Sequence, residues 1–492
     1  MEESGAFSLP TNFKNKMILL QNYSKTPIRI TPSTGQSSVK SNGYINFQLP
    51  VGATLDLRTF SFHFAASTNG DANTLVGLPK WTSSLIKTLD ILVNGKSIQH
   101  INYYSHLYNL LQDYKCGYNE KIKDVGINGD PSVKTYMSDA GLITKYNTFV
   151  KTGVVDVNRF KDNYVINDWL GFLGSSQPSI INTGLTGTIE IQIQLESGKV
   201  CFQQGTGVAS PEFTIENSVA YIDKIEFNDD RYYSLQEKII SSGKLTIPFK
   251  NYTAYPSSDL TNTKTCTVKF TENTSSLDKI ILTYLEGTRE TNNVLQLGTP
   301  ANVLATAADA AALLTAYNNT VVVGNTPPSL YNYTNLLANG DTNLLNNSIY
   351  FKRNGLGLGS TVGVLTTGSV QFEINSQDMT PPLSLMGMYD ETLKAFELNQ
   401  TDLVSINPAL NDICKYERDF FAAAFSTSHI NNKSSDEYIV SGRNTFATSM
   451  NVSVKVINGR ATNNAQAATP IVFTEMTSML VIQAGRNVSL IR

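Results

Sequence analysis

Four histidines and four cysteines are the side chains of this chain best suited to metal ligation or nucleophilic chemistry. His100 and His106 lie close together, with His63 and His429 far from them, and no Cys or His partner completes a zinc spacing. A tetrahedral site needs more ligands than this pattern offers. Cys116, Cys201, Cys266 and Cys414 are scattered, with no CxxC pair. They read as buried free thiols of a reducing compartment, not as a disulfide framework. The run GLGLGST at 355–361 is glycine-rich but lacks the phosphate-binding lysine and the strand–helix context of a nucleotide loop. No GxSxG elbow is present. Asp229-Asp230 could hold a cation in a loop, although a solvated turn is the commoner outcome. Trp81 and Trp169 read as core or interface anchors before sugar platforms. The expectation is a protein without catalytic, metal or cofactor residues.

The elements around these residues are strands. Hydrophobic residues make up 41% of the 492 and charged residues only 16%, with 23 Tyr and 22 Phe. Polarity must then come from Asn, Thr, Ser and Gln, a composition that favours strands and turns. The net charge of −3 and the lack of a long charge block argue against coating nucleic acid or reading its sequence, since counterion release needs a basic surface. The N-terminal segment has no apolar core of the signal-peptide kind, and no run approaches 18 apolar residues, so no membrane span is expected. Sequons such as Asn22-Tyr23-Ser24 and Asn451-Val452-Ser453 are then chance occurrences.

The most structured stretch is 81–114. It reads as a turn at 82–84, a strand alternating through Leu89, Ile91 and Val93, a tight turn at Asn94-Gly95, and a short amphipathic helix carrying Tyr104, Leu107, Tyr108 and Leu111. Other alternating runs begin at Tyr44, Leu55, Ile189, Ser218, Leu245, Cys266, Leu277 and Val370, and a second helix is expected after Pro381-Pro382. Three closing strands are expected at 446–457, 471–473 and 479–482. Residues 1–40 read as an arm with an apolar patch, Met17-Ile18-Leu19-Leu20, that packs on a neighbour or lies in solvent. Residues 115–165 read as a large excursion. Residues 286–346, with an Ala- and Leu-rich run that includes Leu313, Leu314 and Tyr317, read as a long insertion.

Four short matches recur in the same order in both halves: 43–47 with 243–247, 82–87 with 274–279, 187–193 with 368–374, and Phe213-Thr214 with Phe473-Thr474. A unit of about two hundred residues with several strands is a whole β-sandwich, so two tandem sandwiches are expected, with a boundary near 227–235. The helix at 104–111 has no visible partner in the second half.

With this layout the chain resembles the double jelly-roll major capsid proteins of virophages, polinton-like viruses and their relatives among eukaryotic double-stranded DNA viruses. The resemblance rests on the 89–114 strand–turn–helix, the Trp169 segment leading to GLTGTIEIQIQL, YIDKIEF, GKLTIPFKNY and the closing GRNTFATSMNVSVKV and VFTEMTSMLVIQAGRNVSLI. It implies an all-β fold of two tandem eight-stranded jelly rolls with short helices and long loop insertions: an arm at 1–40, a first roll at 41–228 and a second at 229–492. It also implies homotrimeric, pseudo-hexagonal capsomers that tile an icosahedral shell around double-stranded DNA, with penton and minor capsid proteins as partners and the virion as location. Assembly would take place inside the host cell, without secretion. Leu313, Leu314 and Tyr317 would then sit in an outward tower, and Met17, Ile18, Leu19 and Leu20 at the inner face or trimer base. A carbohydrate- or receptor-binding β-sandwich shares the strand content. An enzyme on the same scaffold, such as a glycosidase, would need a convergent carboxylate pair.

Overall fold

The computed structural model describes residues 23–33, 35, 38–68, 75–77, 81–115, 162–204, 211–227, 234, 241, 244–257, 265–286, 351, 353, 368–398, 410, 413, 416–417, 420–428, 442–446, 450–457, 468–483 and 487–492. Alternating strands pair into two sandwiches along the chain. In the first, β1 (Tyr23–Ile30), β12 (Phe213–Phe227), β4 (Thr54–Thr68) and β8 (Asp162–Ile166) lie side by side. Two short strands flank them: β2 (Ser38–Lys40) on β12 and β9 (Ile180–Asn182) on β4. The facing sheet runs β3 (Tyr44–Gln48), β10 (Ile189–Leu195), β6 (Ile86–Val93), β7 (Lys96–Asn102). A separate ribbon pairs β5 (Leu75–Gly77) with β11 (Phe202–Gln204).

The second sandwich repeats this plan. One sheet runs β13 (Leu245–Pro256), β20 (Ala468–Gln483), β15 (Leu277–Glu286), β18 (Ala423–Ser426), with β21 (Asn487–Ile491) also on β20. The other runs β14 (Cys266–Thr271), β19 (Asn451–Ile457), β16 (Ser369–Ile374), β17 (Gln377–Asp378). If the eight principal strands of each half are lettered B to I in chain order, both halves give sheets B-I-D-G and C-H-E-F. That is the strand order of a jelly roll, formed twice.

Alternation decides which side chains fill each sandwich. In β10 the isoleucines and Leu195 are buried while Glu190, Gln192 and Gln194 stay half-exposed. Phe47 meets Phe60 and Phe62 edge-on across the first sandwich. Burying each such side chain is worth about 1.5–3 kcal/mol. Asn94 and Gly95 both have positive φ, 50° and 75°, as a two-residue turn between right-twisted strands requires. The turn joins β6 directly to β7, so the expected strand–turn–helix is a hairpin followed by a helix. Residues 82–85 form one 3-10 turn ahead of it.

Gly171 is the position where a side chain is least tolerable. Its φ is 81°, and a Cβ there would lie 1.6 Å from Gln99 Nε2. Gln99 is buried and its Oε1 accepts from Phe172 N at 2.9 Å. Gly171→Ala should therefore destabilise the protein by about 1–3 kcal/mol. A urea midpoint equal to wild type would show that Gln99 yields without cost.

Several expectations change. The arm expected over 1–40 stops short of Tyr23, because β1 and β2 hydrogen-bond along β12 and take the B position of the first roll. Three of the four internal matches joined non-equivalent strands: C with B, the start of E with the start of D, and H with E. Only Phe213 with Phe473 joins equivalent strands, I with I. The tandem duplication stands on topology instead. The strand at Leu245 continues through NYTAYP to Pro256, and the expected 471–473 and 479–482 are one strand, β20, followed by β21.

The helix α1 (Tyr104–Lys115) does have a counterpart, α2 (Leu385–Ala395). Each lies between strands F and G of its roll and packs on the E strand. The two differ in burial. Ten of the twelve residues of α1 are buried, against Met388, Thr392 and Ala395 in α2.

Candidate functional site

The residues that suggested chemistry serve the fold. Trp169 is buried and its Nε1 donates to Phe60 O at 2.9 Å. Trp81 is buried as well, so both are core anchors. His63 stands against Tyr221 and its Nε2 is 3.1 Å from Ser61 Oγ; burial holds its pKa below the usual histidine value. His100 pairs with Asp90, its cross-strand neighbour on β6. His106 lies in α1 beside Phe351. Neither Cys201 nor Cys266 is in a disulfide. Burial pushes Cys201 far up and Cys266 up to about 11, which leaves little thiolate at neutral pH. Among the described residues no three His, Cys, Asp or Glu side chains converge as metal ligands. His429, Cys116, Cys414, Asp229-Asp230 and the glycine-rich run lie outside the described residues, as do Met17, Ile18, Leu19, Leu20, Leu313, Leu314 and Tyr317.

The most elaborate polar arrangement is the junction of the two rolls. It is built on the last turn of α1. Tyr114 OH donates to Phe420 O at 2.7 Å, and its ring stacks on Phe396 at 4.7 Å. Burial pushes the Tyr114 hydroxyl well above its usual pKa, so it remains a donor. Asp113 binds Arg353 at 2.5 Å, and both side chains are more than nine-tenths buried. One residue further, Lys115 Nζ lies 3.8 Å from Glu475 Oε2.

Glu475 is the hub of this junction. Its Oε1 is 3.4 Å from Lys279 Nζ and 3.8 Å from Lys250 Nζ, and Lys250 also bonds Asp278 at 2.7 Å. Burial by itself would raise its pKa. The three ammonium groups outweigh that cost and hold the carboxyl far below the usual range. The first roll adds backbone contacts on the B strand of the second. Gln177 N donates to Pro248 O at 3.0 Å, and Lys250 N donates to Ser175 Oγ at 2.8 Å. Lys96 Nζ, next to the hairpin turn, reaches Val488 O at 2.7 Å.

This junction also places the two large connections. The first connection leaves the described structure after Lys115, the second re-enters it at Phe351 and Arg353, and the Asp113–Arg353 pair holds those two points together. Sequence reasoning missed every one of these pairs. Asp113 and Arg353 are 240 residues apart, and no local pattern marks either.

A scan against protein-family models finds no match, and no curated protein is similar in sequence. Solved structures are similar in fold. A chain of the PBCV-1 virus capsid, from a quasi-atomic model, superposes over 96% of this chain and 97% of its own with a TM-score of 0.54 and 11% identity. PBCV-1 VP54, in a crystal structure fitted into a reconstruction of the virophage Sputnik, matches over 96% and 97% with a TM-score of 0.52 and 12% identity. The Faustovirus major capsid protein matches over 94% and 91% with a TM-score of 0.50 and 10% identity. The chain has the double jelly-roll fold of these viral capsid proteins, as the 89–114 hairpin and helix and the closing strands implied.

Proposed function

We propose that this protein is a viral major capsid protein with a structural and not an enzymatic role. Its copies form homotrimeric, pseudo-hexagonal capsomers that tile an icosahedral shell around a double-stranded DNA genome. The observation that carries the proposal is the double jelly roll itself, two copies of one sandwich joined side by side through a buried junction. A tile needs flat, polar walls that match by shape, and low net charge limits repulsion between packed copies. Penton and minor capsid proteins are the expected partners, the virion is the expected location and assembly is expected inside the host cell. Among the described residues no helix is long and apolar enough to cross a membrane. The carbohydrate-binding alternative loses its clearest platforms, since both tryptophans are buried.

Negative-stain electron microscopy of the purified protein tests the proposal. Class averages with a six-lobed outline, or closed shells, are expected. Single two-lobed particles at every concentration, together with retention on a glycan array, would favour the binding-module reading. Residues 286–346 are proposed to form the outward tower, with Leu313, Leu314 and Tyr317 in trimer contacts. Deleting 291–343 should then leave both sandwiches folded, since loop length costs little, while lowering trimer stability. Unchanged trimer dissociation on dilution would remove the insertion from the contact.

A further inference from the structure

Several buried carboxylates of this protein are matched by cations. Asp113 faces Arg353, Asp278 faces Lys250, Glu373 faces Lys455 and Glu475 faces Lys115, Lys250 and Lys279. Glu272 breaks the pattern. It sits one residue past the end of β14 and is 5% exposed, yet it forms no ion pair among the described residues. Its Oε2 accepts from Tyr255 OH at 2.7 Å and from Thr474 Oγ1 at 3.0 Å. Both donors are neutral, and both use the same oxygen. The other oxygen, Oε1, has no donor among the described residues and is not sealed in the core; it opens on a cleft. Burial raises the carboxyl's pKa, and the two hydrogen bonds and the attraction of Arg492 only partly offset this. A carboxylate placed in this way lacks a counter-charge.

The cleft has a volume of about 450 Å³, within the range of small-molecule sites. Its lining is held in place by the fold. Tyr255 is braced by the ring of Phe270, stacked on it at 4.0 Å. Leu490 and Ile491 precede Arg492, whose O accepts from Ser275 N at 2.6 Å. Phe446 follows Thr445, whose Oγ1 accepts from Thr274 N at 3.1 Å and whose N donates to Thr274 O at 2.8 Å. Phe446 is nevertheless 66% exposed and Ile491 37% exposed. The cleft thus combines one unpaired buried acceptor with open apolar surface.

We propose that this cleft binds a primary alkylammonium group, with the ammonium on Glu272 Oε1 and the alkyl stem against Phe446, Leu490 and Ile491. A single free oxygen suits the point charge of an ammonium, whereas the planar fork of a guanidinium calls for two. A metal ion needs several oxygen ligands, and among the described residues no acidic group joins Glu272. Arg492 also lines the cleft but is exposed and makes no ion pair with Glu272, so it leaves the acceptor open. The exposed Asn273 amide is placed to accept a second ammonium hydrogen. The site lies within one chain and does not depend on self-assembly.

Ligand-observed saturation-transfer NMR on the full-length protein at constant ionic strength tests this. The probes are n-butylammonium, butan-1-ol and Nα-acetyl-lysine methylamide. n-Butylammonium should bind about tenfold tighter than butan-1-ol, which has the same stem and no charge. Glu272→Gln should cost about tenfold in amine affinity, because its amide oxygen keeps the two hydroxyls and a donor then faces the cleft. It should leave butan-1-ol binding unchanged and should not lower the melting temperature. Phe446→Ala removes only exposed surface and should weaken amine and alcohol alike. Competition by the capped lysine at the affinity of the free amine would assign the site to lysine side chains of a partner. Its failure to compete would assign the site to free amines; both results uphold alkylammonium recognition. Equal affinities for amine and alcohol, unchanged amine binding by Glu272→Gln, or no amine binding to wild type would each overturn it.

Discussion

Arg353→Met should lower the unfolding free energy by about 3–5 kcal/mol, because it leaves the Asp113 carboxylate buried without its counter-charge. The loss should exceed that of most single substitutions in the sheets, since the pair joins α1 of one roll to the point where the chain re-enters the other. The companion double variant, Asp113→Leu with Arg353→Met, should recover much of the loss. Two well-packed apolar side chains can replace a buried ion pair at little cost. The double variant also removes Arg353 Nε, a buried donor without a hydrogen-bond acceptor among the described residues. Urea unfolding of the three proteins measures the coupling. A single variant as stable as wild type would show that the pair contributes nothing to joining the rolls.

Glu475→Leu should cost about 3 kcal/mol, at the lower end of the range for breaking a buried pair, because Lys250 keeps Asp278 and Lys115 can turn to solvent. The same residue sets a pH dependence. Its folded pKa lies below the unfolded value of about 4.3, so its stabilisation is complete above that value. It is lost as pH falls from there through the folded pKa. Wild type should therefore lose stability steeply below about pH 4.3, and Glu475→Gln should flatten that limb. Glu272 works in the opposite sense. Burial raises its pKa in spite of hydrogen bonds from Tyr255 and Thr474, so its charged form costs stability as pH rises above its unfolded value. Glu272→Gln should be neutral or stabilising at pH 7. Acid melts that superpose for wild type and Glu475→Gln would remove Glu475 from the account.

What the sequence disclosed follows from burial on one face. β4, β10 and β14 each have one buried and one more open face, so their residues alternate and the strands are legible. Asn94-Gly95 announced its turn because few residue pairs accept two positive φ values. β1 was hidden for the reverse reason. YSKTPIRI is mostly exposed, carries the lysine, proline and arginine that protect edge strands, and has no alternation to read. β20 was split in two because burial on both faces erases the period. Three of the four internal matches join non-equivalent strands because any two alternating strands resemble each other. Equivalence lies in which strand pairs with which, and that is a long-range property. The equivalence of α1 and α2 is masked by the junction itself, which buries one helix nearly all round, polar residues included, and leaves the other half open. The junction charges were illegible for the same reason, since Asp113, Arg353 and Glu475 acquire their roles only when the rolls meet.

The most direct test of the central proposal is the mass of the purified full-length protein in solution, measured by light scattering across a concentration series. A stable species at three times the 53.9 kDa chain mass is the predicted result. A species that stays at 53.9 kDa at every concentration would contradict it.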